Sequence, residues 1–171
     1  MEPESLDRTR TVTWDDPAPP LAASAGLSGL DYLRALVAGE YPAPPIARLL
    51  GFDIIEVSEG RAVFECAPGE YHYNPLGVVH GGLACTLLDT VVGCAAHSTL
   101  PEGVGYTSID LQVSYLRPIT ATSGTLRAVG RVVKGGRRVI FAEGVIEDSS
   151  GRALATATSS LLVLARAQLT D

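Results

Sequence analysis

His80-Gly-Gly-Leu-Ala-Cys-Thr-Leu-Leu-Asp89-Thr-Val-Val-Gly-Cys-Ala-Ala-His97 decides the fold of this 171-residue chain. Wound as a helix, the stretch is apolar on every face except at Asp89, and it reads as a helix buried all round. Between Gly81 and Ala96 it is shorter than the roughly 20 residues that cross a bilayer, and it holds a carboxylate, so it is no membrane helix. Downstream lie four runs rich in β-branched residues, about 106–116, 125–133, 138–147 and 153–164, separated by Pro118 to Gly124, Gly135-Gly136 and Asp148-Ser-Ser-Gly151. The linkers are too short for crossover helices, so the runs read as a meander of consecutive antiparallel strands. Upstream, Phe52 to Val57, the turn Ser58-Glu59-Gly60, and Arg61 to Cys66 read as a hairpin. The class is α+β, one long apolar helix wrapped by an antiparallel sheet.

Further outward, Ser28 precedes Leu30, Leu33, Leu36 and Val37 at helical spacing, and Gly39 and Pro42 end that helix. A helical turn over 45–50 opens on Pro45 and closes at Gly51. Residues 1–26, with Asp15-Asp16-Pro17-Ala18-Pro19-Pro20, show little apolar periodicity and read as a flexible N-terminal arm, leaving 27–171 as a single domain. A net charge of −6 gives no general attraction for nucleic acid or anionic lipid. The acidic start lacks an apolar run behind basic residues, so a cytoplasmic protein is expected. Cys66, Cys85 and Cys94 show no CxxC spacing, which supports neither a disulfide framework nor a metal site; they read as small buried hydrophobes.

The loop Tyr73-Asn74-Pro75-Leu76-Gly77-Val78-Val79 feeds into His80-Gly81-Gly82 and the long helix. Glycines there let a ligand approach the backbone, and the free N–H groups of the first turn favour negative charge. That junction is a candidate oxyanion site. Asp89 lies about 13 Å of helix rise from His80, too far for both to act on one substrate atom within one subunit. If both serve one reaction, two subunits must supply them. An unpaired buried carboxylate costs several kcal/mol, which marks Asp89 as functional.

Asn74, six residues later His80-Gly81-Gly82, Leu-Leu-Asp89 nine residues after the histidine, and the strand Tyr106-Thr-Ser108-Ile-Asp110-Leu-Gln-Val-Ser-Tyr115-Leu-Arg-Pro118 together resemble a hotdog-fold acyl-CoA thioesterase of the phenylacetate-pathway type. The resemblance covers roughly residues 45–164. It implies a central helix wrapped by an antiparallel sheet, homodimers whose sheets join, and dimers of dimers. It implies Asp89 as nucleophile or general base, Gly81 N–H polarising the thioester carbonyl, Asn74 and His80 positioning that carbonyl or its loop, and Ser108 holding the attacking water. Asp89 and Ser108 would belong to one subunit and Asn74, His80 and Gly81 to the other. A thioester is weakly resonance-stabilised and thiolate leaves readily, so a carboxylate and a few donors suffice, with no cofactor or metal.

For an acyl-CoA substrate, Gly82 would join Gly81 at the ligand, and Lys134, Arg137 and Arg138 would grip the coenzyme phosphates. They belong to a tract from Arg117 to Ala142 that holds six basic residues and no acidic one. Two alternatives share the fold: a hydratase or dehydratase using Asp89 with His80, against which the Asn and Ser companions weigh, and a noncatalytic acyl-CoA-binding module. Such modules usually carry a DNA-binding attachment, for which the arm is too short and acidic.

Overall fold

A computed structural model describes residues 8–165. The elements are α1 (Ala18–Ala23), α2 (Gly29–Val37), α3 (Pro45–Leu50), β1 (Phe52–Ser58), β2 (Arg61–Cys66), α4 (Gly81–His97), β3 (Val104–Tyr115), β4 (Leu126–Lys134), β5 (Val139–Glu147) and β6 (Ala153–Ala165), with 3-10 turns at Ser24–Gly26 and Glu70–His72. All strand pairs are antiparallel, and the sheet order is β1-β2-β4-β5-β6-β3.

The hairpin and the strand runs lie where the sequence puts them, but the meander is broken. β3 pairs with β6 rather than β4. The segment from Leu116 to Thr125 is long enough to leave one sheet edge and return in the middle. It passes the start of α4, where Leu116 N and Arg117 N donate to Leu154 O and Val79 N donates to Ile119 O.

Leu83, Ala84, Leu87, Leu88, Val91, Val92, Ala95 and Ala96 of α4 are buried against the sheet. Gly130 lets β4 come close, since a Cβ there would stand 2.1 Å from Val91 O. The helix is nevertheless not buried all round. Asp89 is exposed and Gly81 and Cys85 are half-buried, a stripe at intervals of four residues. The cause is the order of the sheet. β3 is its last strand, bonded to a neighbour on one side only, so cover runs out beside that stripe.

The N-terminal reading is also revised. Residues 1–7 of the expected arm and 166–171 of the expected domain lie outside the described residues. Between 8 and 26, the chain forms α1 and a 3-10 turn rather than a loose arm. Asp16 Oδ1 accepts from Ala18 N, and prolines occupy the first turn, where a missing donor costs nothing. Arg10 donates to Leu49 O at 2.6 Å and stacks 4.2 Å over the Tyr71 ring; Arg8 pairs with Glu70 at 2.9 Å. Among the described residues, no helix is long and apolar enough to cross a membrane.

Candidate active site

The loop before α4 is held by its own side chains. Asn74 Oδ1 accepts from Leu76 N at 2.9 Å and more weakly from Val78 N at 3.5 Å, while Asn74 N donates to Val78 O. Asn74 therefore shapes the loop from within. His80 is the N-cap of α4, its Nδ1 accepting from Gly82 N at 2.9 Å. That bond consumes the Gly82 donor. Gly81 N–H has no acceptor among the described residues, so it is the donor left open at the positive end of a 17-residue helix.

Tyr115, at the far end of β3, completes this corner. Its hydroxyl donates to Gly81 O at 3.3 Å and lies 2.9 Å from Cys85 Sγ. A Cβ on Gly81 would meet that hydroxyl at 2.9 Å, so the ring keeps this place only while position 81 is glycine. The hydrogen bond with Cys85 holds the Tyr115 hydroxyl above its ordinary pKa. Gly81, Tyr115, Val79, Ala84, Leu116 and Leu154 border an apolar depression of about 480 Å³.

About two turns along α4, the exposed Asp89 accepts from Ser108 Oγ at 2.9 Å. The phase of β3 explains why Ser108 and Tyr115 both face the helix. Tyr106 and Ser108 point inward on even positions; a bulge between Ser108 and Asp110 leaves Ile109 unpaired, and Leu111, Val113 and Tyr115 then point inward on odd ones.

The residues singled out in the sequence thus fall into groups. Asn74, His80, Gly81 and Gly82 meet at the helix start, and Asp89 meets Ser108 further along. In one chain the two groups stay apart. Lys134, Arg137 and Arg138 occupy the exposed turn between β4 and β5. Val132 N donates to Gly60 O and Gly60 N to Ser98 Oγ, so this turn neighbours the C-terminal end of α4, away from Gly81. The wider basic tract is partly spoken for: Arg127 pairs with Glu56 at 2.7 Å, and Arg117 donates to Ala153 O.

Cys85 departs from its expected core role, being half-buried with a hydrogen-bonded sulfur. Burial pushes the thiol of Cys66 up to about 11 and that of Cys94 up to about 12, which leaves both inert. Tyr115 was missed as a site residue because its inward direction depends on the bulge.

An antiparallel sheet curled around one long helix, with an open donor at the helix start and a carboxylate–hydroxyl pair on its uncovered stripe, is the hotdog architecture. Residues 76–155 match the family model described as the thioesterase superfamily. A protein of Halobacterium salinarum that bears an esterase name is 47% identical over 118 residues, 66% of this chain and 76% of that one. Human acyl-coenzyme A thioesterase 13 is 27% identical over 110 residues, 64% of this chain and 77% of its own. The crystal structure of a phenylacetic acid degradation-related protein of Ralstonia eutropha superimposes with a TM-score of 0.69 and 32% identity, over 77% of this chain and 98% of that one. The chain belongs to the thioesterase superfamily and is a thioester hydrolase.

Proposed function

We propose that the protein hydrolyses acyl-CoA thioesters at sites shared between two copies of the chain. The observation that carries this reading is the separation of the open Gly81 donor from the Asp89–Ser108 pair on one uncovered stripe. Each half lacks what the other supplies. The edge strand β3, with exposed Ile109 and Tyr115 and with exposed Leu116 just after it, is a template for pairing with a second β3. Two-fold antiparallel pairing there keeps both copies of α4 on one face of a continuous sheet and runs them in opposite directions. The Gly81 end of each helix is thereby carried toward Asp89 of the other.

In such a site the thioester oxygen accepts from Gly81 N–H of one copy, with Asn74 and His80 fixing the loop and the helix start. A water is held beside the bonded pair of Asp89 and Ser108 of the other, donating to the Asp89 carboxylate. Asp89 takes the water proton as oxygen attacks the carbonyl carbon, and the oxyanion is held by Gly81 N–H and the helix dipole. The C–S bond breaks, and coenzyme A thiolate recovers the proton from Asp89. The similarity to human acyl-coenzyme A thioesterase 13 supports coenzyme A as the thiol. Lys134, Arg137 and Arg138 would grip the coenzyme phosphates, a role supported by all three being exposed cations without an ion-pair partner among the described residues.

A thiol-reactive dye tests the reading with a panel of acyl-CoAs of varied length and aromaticity. Thiol release is expected, and Asp89→Asn lowers kcat about 10²- to 10³-fold with the fold intact. Binding of acyl-CoA without thiol release would refute it. Single turnover in ¹⁸O-water bears on the two roles of the carboxylate: label found in Asp89 requires an acyl–aspartyl anhydride and hence a nucleophile, whereas a general base never labels the side chain.

A further inference from the structure

We infer that His72 is a positioning residue for the oxyanion donor, tying the base of the 73–79 loop, and through it His80 and Gly81, to the end of α3. The inference rests on the reading of Gly81 N–H given above. His72 is buried at the third position of the 3-10 turn before the loop. Its Nε2 lies 2.9 Å from Leu50 O, the carbonyl that ends α3, and its Nδ1 lies 3.1 Å from Gly69 N. A carbonyl only accepts, so Nε2 carries the proton. Nδ1 then has the lone pair that Gly69 N–H requires. The backbone is engaged as well: His72 N donates to Gly69 O, and His72 O accepts from His80 N at 2.8 Å.

That last bond closes the loop. With the bridge between Tyr73 and Val79, it pins the outgoing arm to the incoming one immediately before the helix N-cap. The outgoing arm is also tied by Val79 N to Ile119 O and by Asn74 N to Val78 O. The chain of contacts continues outward: the Tyr71 ring lies 4.2 Å from the His72 ring, and Arg10 stacks on Tyr71 while holding Leu49 O.

A protonated imidazole has no acceptor, so it would set Nδ1–H against Gly69 N–H. Charged and titratable groups around the ring are Arg10 from the N-terminal segment, Tyr71 and Tyr73 on either side, His80 across a shared depression, and Cys66 of β2 through its contact with Leu50 O. Desolvation holds the imidazole below its ordinary pKa, opposed by the bond to Leu50 O. The neutral, bonded form therefore persists below pH ~6.5 and is lost as pH falls further.

The test follows amide hydrogen exchange at His80, whose N–H reports the tie directly, together with kcat and KM. His72→Gln keeps a donor for Leu50 O and has no titrating group; His72→Asn keeps an acceptor for Gly69 N–H. Both variants should speed His80 exchange roughly tenfold or more. Each should lower kcat about tenfold, with KM within about twofold, because what is lost is transition-state stabilisation. The acid limb of the kcat profile should also weaken in His72→Gln. If the variants do not fold, the wild-type protein serves: the protection factor of His80 N–H, its exchange rate set against the intrinsic rate at each pH, should fall over the pH range in which ¹⁵N shifts show Nδ1 gaining its proton. Unchanged His80 protection in both variants, or across that titration, overturns the inference. Faster exchange with unchanged kcat also overturns the inference, since the tie then does not govern the donor, and it leaves the reading of Gly81 N–H standing.

Discussion

Replacing Gly81 with alanine adds one methyl group at the most constrained point of the site. The new Cβ would lie 2.9 Å from the Tyr115 hydroxyl, 3.0 Å from Cζ and 3.1 Å from Cε1. Ordinary contact begins near 3.4 Å, so the ring must retreat by about half an ångström. These are the far-end atoms of a half-exposed side chain, and they can swing away. The swing breaks the bonds to Gly81 O and Cys85 Sγ, each worth about 0.5–1.5 kcal/mol, against a gain of up to about 1 kcal/mol from alanine in a helix. The melting temperature should therefore move by only a few degrees. Activity should move much more, since the displaced ring enters the space where a thioester oxygen must come within about 3 Å of the N–H at position 81. The expected loss in kcat is about 10²-fold, comparable to removing one oxyanion-hole donor. Adding Tyr115→Ala removes the overlap and should restore part of the loss, a non-additivity that a double-mutant cycle measures. Wild-type kcat in Gly81→Ala, with the methyl verified in place by a structure, would refute the reasoning.

The shared site makes its own demand: Asp89→Asn and Gly81→Ala proteins, each inactive alone, should regain up to about a quarter of native activity per site when refolded together, and no recovery after verified subunit exchange counts against it. Arg137→Ala with Arg138→Ala should raise KM for acyl-CoA, with the rise shrinking at high salt, and should spare a short thioester lacking the nucleotide; an equal loss on both substrates would remove these arginines from the coenzyme site. Asp148 accepts from Ser150 N, Ser150 Oγ, Arg152 N and Arg152 Nε in the β5–β6 turn, and these bonds hold its carboxyl below the usual carboxylate range. Its stabilisation is complete above pH ~4 and fades as pH falls, so thermal melts of Asp148→Asn should show a weaker acid dependence than the wild type.

The sequence carried the long helix because its apolar character is local and unmistakable, and the hairpin because Glu59-Gly60 separates two alternating runs. It carried Asn74, His80, Gly81 and Asp89 because their spacing is fixed along one loop and one helix. Two features were hidden for a common reason. The sheet order depends on where the 116–125 segment crosses, and the inward aim of Tyr115 depends on the bulge at Ile109; neither leaves a trace in periodicity, since both are long-range choices made by pairing with β6. The exposure of Asp89 was hidden too. Its apolar neighbours argued for burial on all sides, but the sheet ends at β3 and leaves that stripe open. The argument from buried-carboxylate cost therefore does not apply to the single chain, and the case for Asp89 rests on Ser108.

One strand ties chemistry to assembly. β3 supplies Ser108 to Asp89 and Tyr115 to Gly81, and the same strand presents one of the two sheet edges. Its bulge serves both tasks, turning Ser108 and Tyr115 to one side and leaving Ile109 exposed on the other. In the proposed dimer the stripe of α4 that the sheet leaves bare becomes the wall between two copies, where exclusion of water strengthens every hydrogen bond aimed at the thioester. A single copy would hold a carboxylate open to solvent and an N–H with nothing to polarise. Activity should then follow the dimer population on dilution rather than total chain concentration, because the incomplete half-sites of a monomer cannot be rescued by substrate alone.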